Sequence, residues 1–233
     1  MRIKRRGVGK TIKDLLTAAS EVFAAKGYKE ATVADICERA GTNIAAVNYH
    51  FGDKETLYRE AWRHAFLESV RLHPPDGGIS KDAPPEDRLQ GQVSALLRRI
   101  ADKSNREFII AHKELANPTG LLKEVIQESL RPLQERMKTL VRELLAPSAS
   151  DMQVLFCTIS IISQCINPMV VRRMILERQE DKDDTSEIDD IDAYAYHVVK
   201  FSLAGIQTIR EEAEGKTSIF KRKSISTGSL KQE

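Results

Sequence analysis

The segment TVADICERAGTNIAAVNYHFGDKETLY, residues 32–58, gathers side chains suited to reading a nucleic acid. Thr42, Asn43, Ala45, Ala46, Asn48, Tyr49 and His50 are the expected outward positions of one short helix and its entry. Base edges in a major groove present distinguishable donors and acceptors, which short polar side chains on a helix can meet. Asn48 could pair with adenine through two hydrogen bonds, while the methyls of Ala45 and Ala46 permit close approach and can touch thymine methyls. Tyr49, His50 and Lys54 are better placed for phosphates. Lys54 would stand near the start of the following helix, where unpaired backbone N–H groups favour an anion. Thr32 would add a phosphate contact from the preceding helix, and Arg5 and Arg6, in the basic run 2–6, would reach along the backbone or into the minor groove. The bland readings are a three-helix cap with no nucleic-acid role, Tyr49 as a packing residue and His50 as a helix-capping group.

The elements that must hold these residues can be read from spacing. A short helix over 33–39 is capped by Thr32 and ended by Gly41, and a second over 44–50 is capped by Asn43. Two helices this short cannot bury their apolar faces unaided. Residues 11–26 supply a third, with Ile12, Leu15, Leu16, Ala19, Val22 and Phe23 on one stripe and Gly27 as a stop. Ile36, Ala40, Val47 and Phe51 fall where a helix-turn-helix needs apolar contacts. Cys37 is small enough to let the pair approach, and Gly41 can take the positive φ of a sharp turn. Core, turn, cap and basic-run signals agree, which weighs against the cap-only reading.

Helical periodicity continues through the chain, giving an all-α fold class. After a helix from Asp53 to about 72, the stretch HPPDGGISKDAPPED reads as a linker or ordered loop. Further helices are expected at about 86–103, 106–116, 119–145, 151–166, 168–180 and 192–214. Pro132 should kink one of them, and Pro118, Pro147 and Pro168 should separate others. Three parts follow: 1–54, an N-terminal arm and helix-turn-helix; 55–214, a larger helical domain; and 215–233, a basic tail expected to be disordered.

Composition excludes several classes. Hydrophobic residues at 41% suffice for a sizeable core. No apolar run approaches the roughly 20 residues of a membrane span, and no signal-peptide core follows the basic start. Cys37, Cys157 and Cys165 form no CxxC pair and suit core filling in a reduced, cytoplasmic protein. His64, His73, His112 and His197 lack metal-ligand spacing. Neither a catalytic constellation nor a cofactor motif is present, so no enzyme, metal or cofactor is expected.

Residues 49–58, Tyr-His-Phe-Gly-Asp-Lys-Glu-Thr-Leu-Tyr, carry a resemblance to the DNA-binding domain of the tetracycline-repressor (TetR) family. The wording AAVNYHFGDKETLY, with the later HKELANPTGLLKEVIQESLRPLQERM, is similar to the CecR-like branch. Many members have tyrosine where this chain has Asn48, so their base contacts do not transfer to it. The resemblance implies a nine- or ten-helix, Ω-shaped homodimer paired through its last two long helices, with a ligand pocket inside the C-terminal domain.

The apolar stretch VLFCTISIISQCI, expected to be buried all round, and residues 192–209 are the natural pairing helices. His112, Glu114, Asn117, Gln164 and Asn167 are the polar groups beside apolar helical stretches that could orient a small-molecule effector, or could equally be structural hydrogen-bonding groups. The functional expectation is a ligand-responsive regulator of double-stranded DNA, a repressor released from a palindromic operator. Its alternatives are an activator or dual regulator of the same fold, or a helical small-molecule-binding protein with a vestigial DNA head.

Overall fold

The computed structural model describes residues 3–177 and 188–216, with side chains at all of these except 3–8, 10 and 169–177. Within them the chain is helical throughout: α1 (Ile3–Glu30), α2 (Val33–Ala40), α3 (Ile44–Phe51), α4 (Lys54–Leu72), α5 (Pro85–Ala101), α6 (Arg106–Ala116), α7 (Lys123–Leu144), α8 (Asp151–Glu177) and α9 (Ile191–Ala213). The tail beyond 216 and the acidic stretch 178–187 lie outside the described residues.

Two cores organise these helices. The first joins Leu15, Ala19 and Phe23 of α1 to Ile36 and Cys37 of α2, Val47 of α3, and Leu57, Tyr58, Ala61 and Trp62 of α4; Ile110 of α6 and Val125 of α7 close it. The second joins Leu89, Val93 and Leu97 of α5 to Met137 and Val141 of α7, Val154 and Ile161 of α8, and Val198 and Ile206 of α9. α7 therefore contributes buried residues to both cores, while α6 touches the second only through half-buried Phe108. Cys37, Cys157 and Cys165 are buried, and burial pushes the Cys165 thiol up to about 12, so it packs as an inert apolar group.

Several elements differ from the sequence expectation. α1 starts at Ile3, so the segment expected as an arm has helical backbone. Gly27, the expected stop, is a kink with φ 75° and ψ 176°, after which the chain makes one more turn to Glu30. α7 runs through Pro132 without ending. The proline leaves the Glu128 carbonyl, one turn back, without its helical donor, and Glu128 is exposed to water.

α8 likewise runs through Pro168, which was expected to separate two helices. Here the carbonyl left without a helical donor is that of Gln164, and the Tyr194 hydroxyl of α9 donates to it at 2.8 Å. A tertiary hydrogen bond replaces the missing helical one. α8 is also not buried all round within one chain: Leu155, Phe156 and Ile159 are exposed, as are Tyr196 and Phe201 of α9.

The proline- and glycine-rich stretch between α4 and α5 is packed and ordered. A Cβ on Gly77 would lie 2.4 Å from the Gly91 carbonyl oxygen, and one on Gly91 would lie 2.4 Å from the Asp76 carbonyl oxygen. Such distances mean direct backbone-on-backbone contact. Asp76 also faces Arg136 of α7 at 3.5 Å.

Candidate nucleic-acid interface and the adjoining cavity

The short helices owe their ends to local hydrogen bonds. Thr32 caps α2 by accepting from the Asp35 amide at 3.1 Å, while the Asp35 carboxylate accepts from the Thr32 amide at 3.0 Å; together they form a reciprocal capping box. Lys26 pairs with Asp35 at 2.9 Å and, with the Thr32 bonds, holds that carboxyl down at about 2. Gly41 closes α2 at φ 63°, and the next amide, Thr42, reaches back to the Cys37 carbonyl. Asn43 caps α3 by accepting from the Ala46 amide at 3.0 Å, and Asp53 caps α4 by accepting from the Thr56 amide at 2.7 Å. Val47 is fully buried under this turn, which fixes the opposite face of α3 outward.

Thr32, Asn43, Ala45, Asn48 and Tyr49 are exposed; Thr42, Ala46, His50 and Lys54 are half-buried. Tyr49 is 83% exposed and meets the His50 ring edge-on at 4.9 Å. The oxygen of Asn43 is committed to its cap, leaving its amide N–H groups for other partners. Lys54 rests its ammonium 4.4 Å from the centre of the Tyr28 ring, an arrangement that steadies a cation without neutralising it. The side chains of Arg5 and Arg6 lie outside the described residues.

Sequence reasoning missed two features here. Tyr28 went unremarked because nothing local marks it as a partner of Lys54. Glu21 of α1 was also missed; it accepts from Arg39 of α2 and from Arg106 of α6, each at 2.7 Å. One carboxylate thus ties the helix-turn-helix to α6.

Behind this head lies a cavity of about 650 Å³ between α4, α5, α6, α7 and α8. Its wall is mostly apolar and includes Trp62, Leu96, Phe108, Ile126, Met137 and Ile162. His112 and Glu114 line it. The carboxylate of Glu114 is engaged elsewhere: it accepts from the Thr119 amide and hydroxyl, the Gly120 amide and the Tyr58 hydroxyl at 2.8 to 3.2 Å. This holds the α6–α7 turn; burial of Tyr58, and secondarily the Glu114 charge beside it, raises the Tyr58 hydroxyl pKa.

Asn117, Gln164 and Asn167 do not line the large cavity. Asn117 ends α6 on the outer side, Gln164 bonds the Ser160 carbonyl within α8, and Asn167 is exposed. The helical turn carries Ile162 and Ile166 to the cavity instead.

Besides His112 and Glu114, the cavity holds polar groups that sequence reasoning passed over, and one, Arg99, that with Arg98 reads from sequence most simply as part of a solvated face or an ion-pair partner. Arg98 does reach outward, pairing with Asp192 at 2.7 Å, but Arg99 turns inward to Glu107. Adjacent helical residues point about 100° apart, so one arginine can face solvent while its neighbour faces the cavity. The spacing Gln92, Leu96, Arg99 along α5 was the available signal. Burial raises the Glu107 carboxyl from 4.5 to about 6, against smaller lowering effects from Arg99, Asn105 and Ser69. The Glu107 carbonyl accepts from the Trp62 indole at 3.0 Å, and the Arg99 guanidinium lies 5.6 Å from the Phe66 ring.

A helix-turn-helix head with an outward second helix, joined to a larger helical body enclosing a cavity, defines the build of a two-part transcriptional regulator. Residues 15–61 match the family described as bacterial regulatory proteins, tetR family, and residues 85–206 match the C-terminal domain of the HTH-type transcriptional dual regulator CecR. The chain belongs to the TetR family of transcriptional regulators, in its CecR-like branch, and is not an enzyme.

The dual regulator CecR of Shigella flexneri is 27% identical over 179 residues, covering 71% of this chain and 78% of the relative. The regulator SrpR of Pseudomonas putida is 30% identical over 122 residues, covering 52% and 54%. A TetR-family regulator from Mesorhizobium loti shares the fold with a TM-score of 0.66 at 16% identity, over 85% of this chain and 97% of that one.

Proposed function

We propose that the protein is a cytoplasmic, homodimeric repressor that holds a palindromic operator through α3 and lets go when a small molecule occupies the cavity. The observation that carries this reading is the outward face of α3. Ala45, Asn48 and Tyr49 are exposed on a helix whose other side is pinned by buried Val47. Asn48 reads bases, Ala45 and Ala46 allow approach, and Thr32, Thr42, Tyr49, His50 and Lys54 take phosphates, joined by Arg5 and Arg6. The exposed apolar groups Leu155, Phe156, Ile159, Tyr196 and Phe201 fit pairing with a second copy. Such a dimer presents two recognition helices to successive turns of one duplex face. Release follows from tighter effector binding to a conformer with different head spacing.

The name of the CecR relative favours a second reading, a dual regulator that also activates. Operator position relative to the promoter separates the two.

Selection of bound sequences from random DNA, with the complexes titrated by salt, tests the proposal. An inverted repeat is expected. Lys54→Ala should weaken binding to all sequences alike and lower the salt slope by about 1, whereas Asn48→Ala should relax preference at particular bases. No enrichment at any salt removes the reading, and an unchanged motif with Asn48→Ala removes that residue's role.

A further inference from the structure

Among the polar groups on the mostly apolar cavity wall, which include Gln92, His112, Lys123 and Arg136, one charged pair is deeply buried. Arg99 and Glu107 reach into the cavity with side chains only 9% and 5% exposed, and their charged atoms stand 3.7 Å apart, too far for a hydrogen bond. Nη1 of Arg99, Oε2 of Glu107 and the neighbouring Ser69 hydroxyl are buried without a hydrogen-bond partner among the described residues. Buried donors and acceptors of this kind are ordinarily satisfied, and charged ones cost most when they are not. One side of the pair is a donor and the other an acceptor, in a chamber whose wall is mostly apolar.

We propose that the cavity takes a neutral, largely apolar molecule bearing a hydroxyl group, whose oxygen accepts from Arg99 and whose hydrogen is donated to Glu107. The proposal rests on reading the cavity as the effector site and names the effector's chemical class. A hydroxyl satisfies both orphaned atoms of the pair with a single oxygen, since it donates once and accepts at its lone pairs. The Arg99–Glu107 pair is already balanced in charge. At this pair a carboxylate head would bring a second anion against Glu107, and an ammonium head a second cation against Arg99; either leaves an uncompensated charge at the buried end of the cavity, away from exposed Lys123 and Arg136. An ether would accept from Arg99 but leave the Glu107 oxygen unpaired.

Trp62, the only tryptophan of the sequence, lines the cavity and bonds the Glu107 carbonyl, so its fluorescence reports occupancy. The full chain is titrated with 1-decanol, decyl methyl ether, decanoate and decylammonium, all below their aggregation limits. The alcohol should give a saturable change with affinity at least about tenfold above that of the ether and of both ions. Glu107→Gln removes the counter-charge of Arg99 and should raise decanoate affinity by about tenfold relative to the alcohol. Should that variant unfold, as read by circular dichroism, the ranking of the four probes on the unaltered chain decides alone. An ether that matches the alcohol, an ion that binds tightest, or the absence of saturation with every probe overturns the proposal.

Anisotropy of a labelled, selected DNA fragment runs alongside. Alcohol that binds as ranked but leaves the DNA complex intact upholds the head-group assignment and removes ligand-controlled release. Ether that binds and releases DNA as well as the alcohol does the reverse.

Discussion

On the α3 face, polar side chains are held by partners three residues away: Thr32 with Asp35, Asn43 with Ala46, Asp53 with Thr56. In the cavity, order comes from afar. Arg99 of α5 meets Glu107 of α6, and Trp62 of α4 meets the Glu107 carbonyl across 45 residues of sequence. The first region is complete in itself and turns spare donors toward solvent. The second leaves donors and acceptors unmatched inside the protein. A surface of the first kind is ready for a partner that arrives with its own charges, while a chamber of the second kind is energetically improved by being filled.

The contrast can be broken most severely at the head's core. Ile36→Ala removes a fully buried side chain and should cost about 3 kcal/mol in unfolding free energy, with loss of sequence-specific DNA binding. A small cost in denaturant melts, with binding intact, would show that local caps suffice without the core.

The cavity should answer next, through pH. Glu107 holds its proton up to about 6 in the folded protein, against 4.5 for the ordinary group. The folded state then binds more protons between these values, so stability is greatest below 4.5 and falls as pH rises through 6. That step is about 2 kcal/mol, is absent from Glu107→Gln, and should therefore appear as pH dependence in the difference between the unaltered chain and that variant, read by chemical denaturation at pH 4.5, 5.5 and 7. A difference curve flat in pH would mean the carboxyl is better solvated than its burial implies.

Tyr194→Phe probes a third arrangement, the tertiary bond that carries α8 through Pro168. Leaving the Gln164 carbonyl without its donor should cost about 1 kcal/mol in thermal or denaturant unfolding. The smallest stability effect belongs to Tyr49→Ala. At 83% exposure the change should stay within about 0.5 kcal/mol while DNA affinity falls. Equal losses of stability and binding would make Tyr49 a packing residue.

These differences explain what could be read from sequence. The helix-turn-helix was legible because its signals are short-range: Thr32 before Asp35, Gly41 after a helix, Asn43 before a helix, apolar Ile36 and Val47 at the right spacing. The all-helical body was legible from periodicity, apart from its proline boundaries. α8 passes Pro168 because Tyr194, from another helix, supplies the missing donor. The cavity was the least legible part. Glu114 and His112 reach its wall, but its most buried polar pair comes from two helices, and Arg99 reads from sequence only as a solvated or ion-paired neighbour of Arg98, with nothing local to point to Glu107. Asn117, Gln164 and Asn167 looked polar enough to serve, yet their positions on the helical turn carry them elsewhere.

The crossing of Gly77 and Gly91 bears on how the molecule can change shape. Each glycine occupies space that a side chain on the other's strand of backbone would need, so the connection between α4 and α5 behaves as a rivet where a hinge might have been sought. With that route stiffened, a change of angle between the two cores falls chiefly on α7, the helix with buried residues in both. Adding a single methyl group at either glycine would pry the rivet open and give the head a freedom it otherwise lacks.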